Sequence, residues 1–327
     1  MSDKTNAAHD RTAGRAVTRS STSWIPYAGL LVLFWGVWGA FSGEPTSRYG
    51  YPDEMIYILW SFTMLIPAYF AKRGHVLDRR PVATMYGLLV GLTGAGGQLV
   101  LFKALTIGPA YLIFPIISIS PVITVLMAVL ILRERIRTLA TIGVVAALTA
   151  IVLFSVSDDS GGNGRGPWLL LALTVMAAWG VQAFFMKKAA TVGVNDATTF
   201  TWMTVSGLLL VPVAFLMMGG FPSGAPWQAP ALTLATQLLN AVGALFLVMA
   251  LSRGKATIVA PVTNALAPVL TIVLSLIVFQ TLPTVFASIG IVLAIVGSTL
   301  MVYSDESESS EADSVPLEER AESQRPT

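Results

Sequence analysis

Apolar runs of membrane-span length follow one another from about residue 24 to residue 303, separated by short polar or glycine- and proline-bearing breaks. A bilayer's hydrocarbon core takes roughly 20 apolar residues per helix. The pattern predicts ten helices, at 24–43, 54–71, 83–105, 111–132, 138–156, 167–186, 198–218, 229–250, 257–279 and 283–303. Outer-membrane barrel strands would instead alternate over segments of about 10 residues. Residues 84–132 are too long for one span, and Gly108-Pro109 supplies the break; SRGKA at 252–256 interrupts the matching run in the second half.

The second half repeats the first. Aligning 104–115 with 250–261, and 121–157 with 268–304, gives fifteen identities in 49 pairs, with one residue of slippage between the blocks. The informative matches are not aliphatic: Gly108 with Gly254, Pro115 with Pro261, Pro121 with Pro268, Thr124 with Thr271, and Ile142-Gly143 with Ile289-Gly290. Trp35-Gly36-Val37 likewise matches Trp179-Gly180-Val181 in spans 1 and 6. The unit is therefore five helices used twice. Five is odd, so the second unit enters the membrane from the opposite face, the construction of many secondary transporters.

Charge sets the orientation. Fifteen Lys and Arg residues in the N-terminal tail and in the loops after spans 2, 4, 6 and 8 fall on one side, whereas the opposite loops offer Arg48 and Arg165. Cytoplasmic loops carry that excess, so both termini are expected in the cytoplasm of a multi-pass protein of the plasma (inner) membrane. Eight of the eighteen acids lie between 24 and 303 and ten in the two tails. The expected organisation is a polar tail at 1–23, a first repeat at 24–157, an external glycine-rich linker at 158–166, a second repeat at 167–303, and an acidic disordered tail at 304–327. The first segment is too long for a signal peptide and lacks a small-residue cleavage site, so it reads as a retained helix.

Composition agrees: 54% of residues are hydrophobic, 12% are charged and there is no cysteine, which removes disulfides and thiolate chemistry. No Walker sequence is present, GLTGAGG at 91–97 lacks the βαβ setting of a dinucleotide loop, and His9 and His75 build no metal constellation. No cofactor is expected, and no enzymatic activity.

At Trp35-Gly36, at Ala104-Leu105 leading into the proline-bearing fourth span, at Glu134 in LRERI, and at Ala250-Leu251, Pro261 and Pro268, the chain resembles the drug/metabolite transporter superfamily, specifically its EamA-domain members. The resemblance covers 24–303. It implies a carrier for small organic molecules, often an exporter of amino acids, other metabolites or drugs, with a central cavity lined by spans 1, 3, 4, 6, 8 and 9. Where the family usually repeats its glutamate at the end of span 9, this chain has Gln280-Thr281, which weakens any role for Glu134 as half of a symmetric pair. The implied partners are a small solute and the lipid bilayer, with a homodimer left open and no nucleic acid. A channel or a membrane-embedded enzyme is the alternative, but neither subunit symmetry nor clustered catalytic groups mark the sequence.

Candidate site residues follow. Pro115 and Pro121 in span 4, and Pro261 and Pro268 in span 9, each remove a backbone donor and free a carbonyl, giving both halves the same kinks. Lys103, near the external end of span 3, either snorkels to the interface or faces the cavity as counter-charge to an anionic solute. Glu44, at the same end of span 1, either closes the helix ahead of Pro45 or pairs with Lys103 as an external gate or proton site. Phe34, Trp38 and Phe41 form a stripe on one face of span 1, suited to stacking on a flat or cationic ligand or simply to packing. Gln98, Gln182, Asn240, Asn264 and Thr271 sit at mid-span and must face protein or water. Trp38, Phe41, Gln98, Lys103, Asn240 and Asn264 are the expected substrate contacts.

Overall fold

A computed structural model describes residues 22–107, 119–156, 167–220, 224–280 and 284–314, with Ile113, Ile116 and Ile117 between the first two stretches. Among them secondary structure is entirely helical. The first repeat contains α1 (Ile25–Phe41), α2 (Glu44–Tyr49), α3 (Asp53–Thr63), α4 (Leu65–Lys72), α5 (Pro81–Ile107), α6 (Ser120–Ile131) and α7 (Thr138–Val156). The second contains α8 (Pro167–Thr191), α9 (Asp196–Leu209), α10 (Val211–Met218), α11 (Gln228–Arg253), α12 (Ala256–Phe279) and α13 (Val285–Ser314). Eight helical stretches are long and apolar enough to cross a membrane; α6 and α7 are apolar but shorter, and stand where spans 4 and 5 are expected.

Three departures from the expected elements have local causes. Spans 2 and 7 are each divided, at Met64 and at Leu210, shortly before Pro67 and Pro212, whose missing N–H groups leave a rung of the helical ladder unmade. Span 1 is followed by the extra turn α2, with Pro45 in its first turn and Gly50 left-handed at its end (φ 61°). The last helix continues to Ser314, so residues 304–314, expected as disordered tail, continue as helix beyond the apolar stretch that ends at Ser304. Adding residues to a helix already nucleated costs far less than starting one. The linker 158–166 and the tail beyond 314 lie outside the described residues.

The repeats are intertwined. Helix α1, the first of its repeat, packs against α11 and α12 of the other, while its counterpart α8 packs against α5 and α6. The last helices of the two repeats, α7 and α13, meet along their length. Their backbones touch at Gly143 and Gly297: a Cβ on either would lie 2.6–2.7 Å from the other's carbonyl oxygen. With no hydrophobic drive between helices in lipid, such small-residue contacts supply the packing. Arg133 and Gln280, paired in the repeat alignment, both adopt the rare left-handed conformation (φ 56° and 57°) where their helices end.

Candidate functional site

The interior of the bundle is built on two reciprocal seams. Trp35 of α1 donates its indole N–H to the Asn240 carbonyl of α11 at 3.2 Å. Trp179 of α8 donates to the Gly94 carbonyl of α5 at 3.3 Å. The rings rest on Gly243 and Gly97 respectively, where any side chain would collide with them. A second pair of bonds lies beside the first: Thr271 Oγ1 to the Gly36 carbonyl at 3.0 Å, and Thr124 Oγ1 to the Gly180 carbonyl at 2.9 Å. Leu270 and Ile123, one residue earlier on each helix, pack on those same glycines. Donor, acceptor and packing residue all correspond between repeats. Contacts in which i meets j and j meets i are the mark of a twofold relation.

Around this frame the expected site residues take different places. Asn240 is buried and donates through Nδ2 to Gln237 Oε1 at 3.3 Å, while its carbonyl is spent on Trp35. Asn264 is half-buried and turns its amide back on its own helix, Nδ2 to the Ala260 carbonyl at 2.9 Å. Gln98 is half-buried on α5, and Phe41 and Trp38 are half-buried on α1. Trp38 Nε1 is fully buried and has no hydrogen-bond partner among the described residues. Lys103 is exposed on the last turns of α5.

Glu44 has a local partner. Glu44 opens α2, which brings Arg48 one turn further along, and the two meet at 3.1 Å. The prolines also divide. Pro261 and Pro268 lie inside α12, which continues through both. Pro121 stands in the first turn of α6, where a missing N–H costs nothing. Pro115 lies outside the described residues.

The end of the bundle bearing the basic loops is closed by polar contacts between elements. Glu134, just past α6, accepts from Ala256 N (3.1 Å), Thr257 N (3.0 Å) and Thr257 Oγ1 (2.9 Å), capping the N-terminus of α12. Carboxylates are stabilising there because the first N–H groups of a helix lack partners and carry partial positive charge. Arg253, at the end of α11, reaches Asp196 at 2.6 Å and lies 4.4 Å over the Tyr27 ring. Lys187 Nζ donates to the Gly254 carbonyl at 2.5 Å. None of these contacts belongs to the expected site; their signal in the sequence is a charged residue at the end of each of several neighbouring spans.

Comparison with known proteins places this architecture. The model of the EamA-like transporter family matches the chain twice, at residues 22–156 and 166–303, one match per repeat. An uncharacterized protein of Methanocaldococcus jannaschii is 30% identical over 141 residues, covering 42% of this chain and 97% of that protein, which is therefore about one repeat long. A solved crystal structure superposes with a TM-score of 0.68 over 86% of this chain and 96% of its own; at 21% identity this shows a shared fold.

Proposed function

This chain belongs to the EamA-like transporter family, and on that premise we propose that it carries a small organic solute across the bilayer by alternating access, with export the favoured direction. The reading takes ten spans, both termini in the cytoplasm of the plasma (inner) membrane, and repeats bounded at 24–157 and 167–303. The observation that carries it is the reciprocal seam, Trp35 on Asn240 and Trp179 on Gly94. Two equivalent halves joined by equivalent contacts can rock against each other and expose a midplane site to either face.

The binding site in this reading lies along α1, α5, α11 and α12, with Trp38, Phe41, Gln98, Asn240 and Asn264 contributing contacts and Lys103 a counter-charge at the external mouth beside Glu44. The buried indole N–H of Trp38, unpartnered among the described residues, favours a solute with a hydrogen-bond acceptor, since an unsatisfied buried donor costs about 1–3 kcal/mol. By the i to i−4 rule Pro268 leaves the Asn264 carbonyl without an intrahelical donor, so that residue offers both an acceptor and an amide.

The test is counterflow in proteoliposomes over a panel of amino acids, nucleosides and phosphorylated metabolites. Exchange of at least one solute above protein-free vesicles is expected, and Trp38→Phe should lower it. Uptake that proceeds without any internal counter-solute and rises linearly with concentration would instead identify a channel.

A further inference from the structure

The short connection between α4 and α5 is held far more firmly than a loop needs. Val76 O accepts from Asn195 Nδ2 at 3.0 Å, Asp78 N donates to Thr198 Oγ1 at 2.8 Å, and Arg80 Nη2 donates to the Gly193 carbonyl at 3.1 Å. All three anchors belong to the α8–α9 turn and the first turn of α9 in the other repeat. Asn195 is itself the N-cap of α9, its Oδ1 accepting from Thr198 N at 2.8 Å. The segment is thus pinned to a helix terminus that is already fixed.

Pinned this way, the connection and the start of α9 enclose a cleft of about 450 Å³ whose lining includes Lys72, His75, Arg79, Thr84, Thr201 and Trp202. Asp78 also lines it but is neutralised within the loop, its carboxylate held by Arg80 at 2.6–3.0 Å. The charges left facing the cleft are those of Lys72 and Arg79, with the His75 imidazole beside them as a hydrogen-bonding group. Lys72, His75 and Arg79 are exposed and make no side-chain ion pair among the described residues. The cleft also lies at a membrane boundary. On α4 Leu65, Ile66, Tyr69 and Phe70 are 47–65% exposed, as lipid-facing groups are, and the charged residues begin at Lys72.

We propose that this cleft binds the phosphate headgroup of an anionic phospholipid, with Lys72, His75 and Arg79 as its ligands and the exposed face of α4 as the track for an acyl chain. Each element answers one part of such a molecule. Basic groups close to the membrane surface attract anionic lipid at about 1 kcal/mol apiece, and a preformed loop spares the ordering cost of assembling them. Arg80 has a different job: it fixes the loop and is not a ligand. Arg73 is exposed on the same segment but does not line the cleft.

Native mass spectrometry of the full chain, released from detergent containing phosphatidylglycerol or phosphatidylcholine, tests this. The wild-type chain should retain one phosphatidylglycerol in preference to phosphatidylcholine. Combined Lys72→Gln, His75→Gln and Arg79→Gln should lower that retention roughly tenfold or more. Arg73→Gln should leave it unchanged, and the charge-preserving Lys72→Arg with Arg79→Lys should keep it, which also controls for folding. Retention unaffected by the triple variant, or reduced equally by Arg73→Gln, would reduce the cleft to diffuse surface charge and overturn the proposal. Thermal protection by inorganic phosphate equal to that by phosphatidylglycerol would overturn it in favour of a soluble anion. The outcome does not depend on whether the chain transports anything.

Discussion

The indole of Trp35 donates to the carbonyl of Asn240 across the boundary between the two repeats, at 3.2 Å. Its counterpart Trp179 does the same to Gly94 at 3.3 Å. Replacing either by phenylalanine keeps an apolar ring and removes one hydrogen bond, worth about 0.6–1 kcal/mol in a membrane protein. Trp35→Phe and Trp179→Phe should therefore lower the melting temperature in detergent by similar small amounts. A loss confined to one of them would mean that the halves are not energetically equivalent.

The glycines beneath those rings should be far less forgiving. A Cβ at Gly97 would lie 2.6 Å from Trp179 Nε1, and one at Gly243 would collide with Trp35. Overpacking of this kind costs about 1–3 kcal/mol. Gly29 on the same α1 has nothing within 4 Å of where a methyl group would stand, so Gly29→Ala should be neutral or slightly stabilising through helix propensity. Thermal unfolding of Gly97→Ala and Gly243→Ala against Gly29→Ala measures the contrast.

Trp38→Phe separates a solute ligand from a packing residue. Its N–H already lacks a partner among the described residues, so removing it should not lower stability, whereas exchange in the counterflow assay should fall. A destabilisation as large as that of Trp35→Phe would show that the N–H is satisfied within the protein.

Glu134 caps α12 through three hydrogen bonds. Glu134→Gln keeps the shape, loses the charge opposite the helix terminus and replaces one acceptor by a donor. A cost of about 1–2 kcal/mol follows from the helix-terminus and charge-assisted contributions. Hydrogen exchange should accelerate first at Ala256–Val259; unchanged protection there would show that Glu134 does not cap α12.

The loop anchored by Asp78 should respond to acid in one direction. Hydrogen bonding by Arg80 holds the Asp78 carboxyl below the usual carboxylate range. Its contribution is therefore complete above the unfolded value of about 3.9 and is lost as pH falls through the lower folded one. Trypsin cleavage after Arg79, normalised at each pH to cleavage of a free peptide of the same sequence, should be slow and constant from neutral pH down to about 4 in this linkage scheme, and Asp78→Asn should raise it across that range. Equal cleavage of Asp78→Asn and the wild-type chain at neutral pH would count against the clamp.

Much of this arrangement is legible in the sequence. Trp35 and Trp179, or Thr124 and Thr271, stand out because aromatic and polar residues recur in order against an aliphatic background that composition alone would repeat. Which helix those residues meet is not legible. In lipid every span presents similar apolar surface, so nothing in the sequence says that α1 belongs with α11 and α12 of the other repeat. Glu134 reaching Ala256 across 122 positions is invisible for the same reason. The Glu44–Arg48 pair is one that spacing alone offers, since the two lie one helical turn apart and short-range ion pairs form with less loop to close. The divided spans 2 and 7 are signalled by Pro67 and Pro212, whose positions a hydropathy reading smooths over.

Because each half lends its leading helix to its neighbour, neither can bury its own interior in isolation. Severing the peptide between Ser157 and Pro167 should yield two fragments that are degraded when made singly yet assemble when made together, behaving as the subunits of a heterodimer joined in nature by a single covalent thread.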